Sequence, residues 1–266
     1  MPLLEVHNVR RSFGGMVAVD DVSFDVAQGQ IKAVIGPNGA GKTTLFNIIS
    51  GLLPTETGQV VFKQKRVSGL KPYQIARAGI SRTFQTPSLF LQMNVLENVM
   101  VGHHCRTSRE FLACCVRSPG QRIEERAIRQ AAIEQLDYVG LGALAESSAG
   151  SLAFGQRRMV ELARSLATEP ALLLLDEPAS GLNTRETADL AKMIQRIRDR
   201  GITVLLVEHD MSLVMSVSDE VLVLHNGKRI CEGPPQQVQN DPNVISVYLG
   251  AGLEDVTPGK KSKVRL

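Results

Sequence analysis

The 266-residue sequence contains no apolar run approaching the roughly 20 residues that a membrane-crossing helix requires. Its strand-like run at 171–175 is closed at once by Asp176 and Glu177, so the chain is not expected to span a membrane. The opening residues carry Glu5, His7, Asn8, Arg10 and Arg11 in place of a basic stretch followed by an apolar one. No secretory signal is expected there, and the cytoplasm is the default compartment. Cysteine is sparse: Cys105, Cys114, Cys115 and Cys231 show neither paired C-x-x-C spacing nor the density of a disulfide framework, and they read as reduced thiols. His103, His104 and Cys105 stand together, but neighbouring residues on a helix or strand point in different directions and no second cluster completes four ligands. That group is expected to be a solvated or partly buried patch and not a metal site. A net charge of +3, with most basic residues interspersed among acids, is too small for a nucleic-acid footprint. There is no internal repeat.

What is present is the composition of an ordinary folded chain, 43% hydrophobic and 21% charged, which argues against global disorder. Residues 4–9 and 17–26 read as short strands between turn residues, and Ile31–Ile35 is a compact apolar strand. Helical spacing follows at 42–50, with Leu45, Ile48 and Ile49 on one side. A strand pair is expected over 58–67 and a helix over 72–78. Between about 93 and 167 the periodicity stays mostly helical, clearest at 124–136, with breaks near 118–120 and 140–142. Strands return at 171–175 and 202–207, separated by a helix that Asn183 can cap and whose Leu190, Ile194 and Ile197 share a face. Met211, Leu213 and Met215 read as the core side of a further helix, and 221–224 and 229–231 as the last strands. Parallel strands joined by helices, with antiparallel pieces near the start, predict an α/β fold with a buried central sheet.

Gly36, Pro37, Asn38, Gly39, Ala40, Gly41, Lys42 and Thr43 fit G-x-x-x-x-G-K-S/T between a strand and a helix. Glycines there let backbone N–H groups approach phosphate oxygens, and the helix start adds its positive dipole end. Lys42 is placed to meet β- and γ-phosphates and the Thr43 hydroxyl to meet Mg²⁺. The apolar strand ending in Asp176 and Glu177 presents two carboxylates at the sheet edge where α/β folds bind ligands. Asp176 suits the metal, and Glu177 suits the work of a base or orienter for an attacking water. A chance turn and a solvent-facing acid pair are the bland alternatives.

With Leu152, Ala153, Phe154, Gly155 and Gln156 in front of the acidic strand, the sequence resembles the ABC ATPases, whose signature usually reads Leu-Ser-Gly-Gly-Gln. The resemblance covers residues 3 to about 250. It implies a P-loop NTPase (ABC ATPase) core with a parallel central sheet, an N-terminal antiparallel β subdomain and an inserted helical subdomain at about 90–167. The nucleotide-binding domain would occupy 1–253, and 254–266, with Lys260, Lys261, Lys263 and Arg265, would be a flexible basic tail. Phe13 matches the aromatic that stacks on adenine, Gln85 the glutamine joining core to helical subdomain and near the metal, Asn183 the D-loop position and His209 the switch histidine. Thr44 completes the phosphate loop. Singly, Phe13 would more often be core, Gln85 a surface amide and His209 a packing residue.

The wording Arg82-Thr-Phe-Gln85, Val-Glu-His-Asp210-Met and Val-Tyr-Leu-Gly250 is similar to the ATP-binding subunits of branched-chain amino acid importers. This implies a chain that binds ATP and Mg²⁺ and hydrolyses ATP at the cytoplasmic face of the inner membrane. Its implied partners are two transmembrane permease subunits, a second ATPase subunit (self or paralogue) in a head-to-tail dimer and, indirectly, an extracytoplasmic substrate-binding protein, without nucleic acid. Ala153 and Phe154 depart from the signature Ser-Gly, as Asn183 does from the usual D-loop aspartate; Ser151 lies one residue too early to substitute. Another small amide or carboxylate cargo, a soluble ABC ATPase of DNA repair or ribosomes, and a P-loop kinase for a small metabolite are the other classes. The chain lacks the long coiled coils or second ATPase domain of the soluble kind, and the signature and Glu177 count against a kinase.

Overall fold

The computed structural model describes residues 1–85, 88–103 and 119–254. His104, Cys105, Cys114, Cys115 and the basic residues 260, 261, 263 and 265 of the expected tail lie outside these. Strands β1 (Pro2–Phe13), β2 (Met16–Ala27), β4 (Thr57–Phe62) and β5 (Lys65–Arg66) form an antiparallel sheet in the order β2-β1-β4-β5. The second sheet has six strands in the order β10-β9-β3-β8-β7-β6. They are β3 (Ile31–Ile35), β6 (Ile80–Arg82), β7 (Leu172–Asp176), β8 (Thr203–Val207), β9 (Glu220–His225) and β10 (Lys228–Gly233). All neighbouring pairs in it are parallel except β9 with β10.

Every residue of β3, β7 and β8 is buried, as expected of parallel strands covered on both faces. Alternation then sends neighbouring side chains into two separate cores. Ala33, Leu173, Leu175, Val204, Leu206, Val221 and Val223 join one. Val34, Leu172, Leu174, Leu205, Val207, Leu222 and Leu224 join the other. In the second core α1 (Lys42–Ile49) contributes Leu45, Phe46, Ile48 and Ile49 between the two sheets, beside Val6, Val9 and Phe62 of the antiparallel one. Lys32 falls on this face too, and its buried ammonium is neutralised by Glu232 and by Glu220 at 3.0 Å.

The first core holds the helices. The inserted block comprises α3 (Val95–His103), α4 (Pro119–Tyr138) and α5 (Phe154–Leu166), with two short 3-10 turns at Gly142–Leu144 and Ala149–Ser151. Val95, Val99, Ala132, Leu136, Val160 and Ala163 pack these helices together. Helix α6 (Thr184–Asp199) begins at Asn183, whose side chain accepts from Glu186 N–H at 3.0 Å while Glu186 returns the bond at 2.9 Å, a reciprocal cap. Asp210 caps α7 (Met211–Val217), which buries Leu213. Helices α2 (Pro72–Ala78), α8 (Pro235–Gln239) and α9 (Pro242–Glu254) complete the order. Strand β6 and helices α8 and α9 are additions to the elements expected from sequence.

Candidate functional site

The loop after β3 is wedged between two strands. Gly36 has φ +150°, and a Cβ there would stand 2.2 Å from the Leu224 carbonyl oxygen of β9. Gly41 has φ +101°, and a Cβ there would stand 2.3 Å from the Ala18 carbonyl oxygen of β2. Neither place admits a side chain, because backbone on the far side cannot yield. Lys42 then opens α1, buried, with its ammonium donating to the Gly36 carbonyl at 2.6 Å and the Pro37 carbonyl at 3.0 Å. Burial lowers its pKa, and the nearby negative charges of Glu177 and then Asp176 oppose the shift. One cation and two carboxylates therefore share a field around the loop. Asn38, Gly39 and Thr43 are exposed beside it.

Asp176 ends β7 with 5% of its surface exposed. Arg82, from β6, donates to it at 2.7 Å and also to Asn47 Oδ1 and Ser50 Oγ of the α1 end, each at 2.8 Å. Glu177 follows in a left-handed conformation, φ +45°, a strained setting for a residue with a Cβ. Its carboxylate accepts from the Gln85 amide at 2.8 Å, and His209 Nδ1 stands 3.8 Å from the same oxygen, beyond hydrogen-bonding distance. Two predicted residues from separate stretches of chain, Gln85 and His209, thus converge on one carboxylate oxygen of a third, Glu177.

The acid that organises this corner is Glu208, fully buried at the end of β8. It accepts from the N–H groups of Ala179 at 2.8 Å, His209 at 3.0 Å and Asp210 at 3.3 Å, tying the segment after Glu177 to the one that carries His209. The sequence reading assigned Glu208 no role, although an acid closing an apolar strand is the signal that drew attention to Asp176. Phe13 is exposed at the end of β1, with the Arg11 guanidinium 5.1 Å from its ring.

The signature residues form a different neighbourhood. Leu152 is buried, Ala153 precedes α5, and Gln156 accepts from the Ala153 N–H at 3.0 Å. The exposed Phe154 ring lies against Gly181, where a Cβ would come within 2.8 Å of it, and Gly155 faces Glu186. Ser151 turns its hydroxyl to the Ser148 carbonyl at 2.8 Å. Two further charged residues of α5, passed over in the sequence, are buried: burial lowers the Arg158 pKa and raises that of Glu161, with the two opposing one another's shift.

For a cation, Thr43, Gln85 and Asp176 present a hydroxyl, an amide carbonyl and a carboxylate. Among the described residues no group of three His, Cys, Asp or Glu could hold a metal by itself. An all-oxygen set with few protein ligands fits Mg²⁺, which takes one or two carboxylates and completes its shell with substrate phosphates.

The ABC transporter family matches residues 19–180, and the branched-chain amino acid ATP-binding cassette transporter family matches residues 228–254. The chain is 43% identical over 250 residues to the high-affinity branched-chain amino acid transport ATP-binding protein BraF of Pseudomonas aeruginosa, covering 94% of this chain and 98% of the relative. It is 40% identical over 250 residues, with the same coverage, to LivG of Escherichia coli strain K12. Among solved structures, a nucleotide-free ATP-binding cassette from an ABC transporter superposes with a TM-score of 0.82 at 33% identity, covering 93% of this chain and 99% of that one. An ATP-binding cassette in its ADP conformation gives 0.82 at 33% identity, covering 94% and 99%.

Proposed function

Because this chain belongs to the ABC transporter family, we propose that the ATP it binds and hydrolyses powers import of branched-chain or other hydrophobic amino acids through a channel built by other polypeptides. The observation that carries this reading is the convergence of Gln85 and His209 on Glu177, beside a phosphate loop whose lysine feels both strand-end carboxylates. The amino-acid cargo rests on the match of residues 228–254 and on the names of BraF and LivG.

In this reading the residues from Gly36 to Thr44 cradle the phosphates, Lys42 neutralises them and Phe13 carries the adenine. Thr43, Gln85 and Asp176 would hold Mg²⁺, which would supply balancing positive charge to the phosphates when bound. Glu177 accepts the proton of the attacking water. Gln85 orients that carboxylate, and His209 contacts the γ-phosphate. Ala153, Phe154, Gly155, Gln156 and Asn183, with Leu152 anchoring the segment in the core, face the nucleotide of a second ATPase subunit, so that two subunits meet head to tail and each completes the other's site.

The described helices include none long and apolar enough to cross a membrane. In this reading two permease subunits hold the chain at the cytoplasmic face. Leu52, Phe84 and Phe90 are exposed around two depressions flanking Arg82, and an apolar patch beside Gln85 gives a permease segment a place to dock. An extracytoplasmic binding protein would deliver cargo to the far side.

Calorimetry with ATP and magnesium, followed by leucine uptake in vesicles holding the assembled transporter, tests the reading. ATP binding and ATP-dependent leucine uptake are expected. No affinity for ATP with Lys42 intact would overturn the motor; ATP turnover without stimulation by any hydrophobic amino acid would overturn the cargo.

A further inference from the structure

Arg158 reaches out of α5 and joins three stretches of chain. Its guanidinium donates to the carbonyls of Phe84 and Gln85, each at 2.8 Å, and stands 3.4 Å from the carbonyls of Glu177 and Ser180. Glu161, one turn further along the helix, accepts from the Phe84 N–H at 3.1 Å and lies 3.7 Å from Arg158. The two residues are 2% and 1% exposed. A charge so buried persists only when bonded, and a planar fork with several donors suits a cluster of carbonyls as a lysine does not. Two side chains from one helix therefore grip the peptide groups that lead into Gln85, and one of them also touches the backbone at Glu177. Phe154, packed on Gly181 with the Arg158 guanidinium 5.7 Å from its ring, joins the same assembly from the signature itself.

We propose that Arg158 is a positioning residue that makes the signature helix, the Gln85 segment and the 177–180 segment move as one body. The setting of the chain's own Glu177 site then fixes the orientation of the signature that the chain offers to the second subunit. The inference rests on the head-to-tail reading above. Without it, this bonding would serve only to hold one fold together.

The test uses the assembled transporter, with closure of its two ATPase subunits followed by fluorescence energy transfer as ATP is added. Two variants are compared with wild type. Arg158→Lys keeps the charge and loses the fork. Arg158→Met combined with Glu161→Gln removes both buried charges of this pair and keeps the acceptor for the Phe84 N–H. In either variant that folds, closure should need roughly tenfold more ATP, while a fluorescent ATP analogue binds the isolated chain within about threefold of wild type. A folded variant that closes at the wild-type ATP concentration overturns the proposal. So does one whose analogue affinity falls as far as its closure, because that marks a purely structural role. Wild type that fails to close with ATP overturns the two-subunit reading itself, whatever the variants do.

Discussion

Arg82 and Asp176 form a buried ion pair of 2.7 Å that joins the two neighbouring strands β6 and β7. The guanidinium also holds Asn47 and Ser50 and lies 5.8 Å from the Phe46 ring and 5.4 Å from the Phe84 ring, so it fixes Asp176 relative to the end of α1. Arg82→Met would leave that carboxylate buried without its cation. The expected loss is about 3–5 kcal/mol of folding stability, read from urea unfolding. A loss near zero would show that Asp176 finds another partner.

Glu177→Gln keeps an oxygen acceptor for the Gln85 amide and removes the carboxylate proposed to accept the proton of water. ATP affinity by calorimetry should stay near the wild-type value, while steady-state turnover falls by about 100-fold or more. Full turnover in this variant would remove Glu177 from the proton-accepting role.

Lys42 gives a pH signature. Its pKa lies below 10.5, chiefly through burial, so between its folded value and 10.5 the unfolded chain binds the extra proton. Stability without added nucleotide should therefore gain from Lys42 as pH rises towards 10.5, and lose that gain as pH falls through the folded pKa. Comparing urea midpoints of wild type and Lys42→Met across alkaline pH isolates this slope; parallel curves would contradict it.

The glycines of the loop should separate into two groups. Gly39 has open space around it and only a positive φ to satisfy, so Gly39→Ala is expected to cost about 1–2 kcal/mol. Gly36→Ala and Gly41→Ala drive a methyl into strand carbonyls, and each should cost at least about 3 kcal/mol. Equal thermal shifts for all three would show that the loop relaxes away from β9 and β2.

Much of this was legible in the sequence, since apolar runs and turn residues mark elements locally. Ile31–Ile35 and Pro72–Ala78 have the expected bounds, and Asn183 caps the helix it was expected to cap. Strand β6 was missed because three residues, Ile80–Arg82, are too few to show alternation. The loop and the carboxylates were readable from motif and strand pattern, and Gln85 and His209 only from family resemblance. The buried roles of Arg82, Arg158, Glu161 and Glu208 went unread for a different reason. A charged residue is read by default as solvated, and what buries these four is a set of carbonyls, amides and countercharges brought in from distant positions.

The sheet order places β8 between β3 and β7. The strand that leads into the glycine loop and the strand that ends in Asp176 are thus held apart by one intervening ribbon of backbone, and Glu208 and His209 follow at the end of that ribbon. The spacing between them is set first by peptide groups, and the Arg82 side chain then ties Asp176 to the end of α1. A one-residue slip of β8 would therefore carry Glu208 and His209 out of step with the glycine loop on one side and with Asp176 and Glu177 on the other, all in a single move.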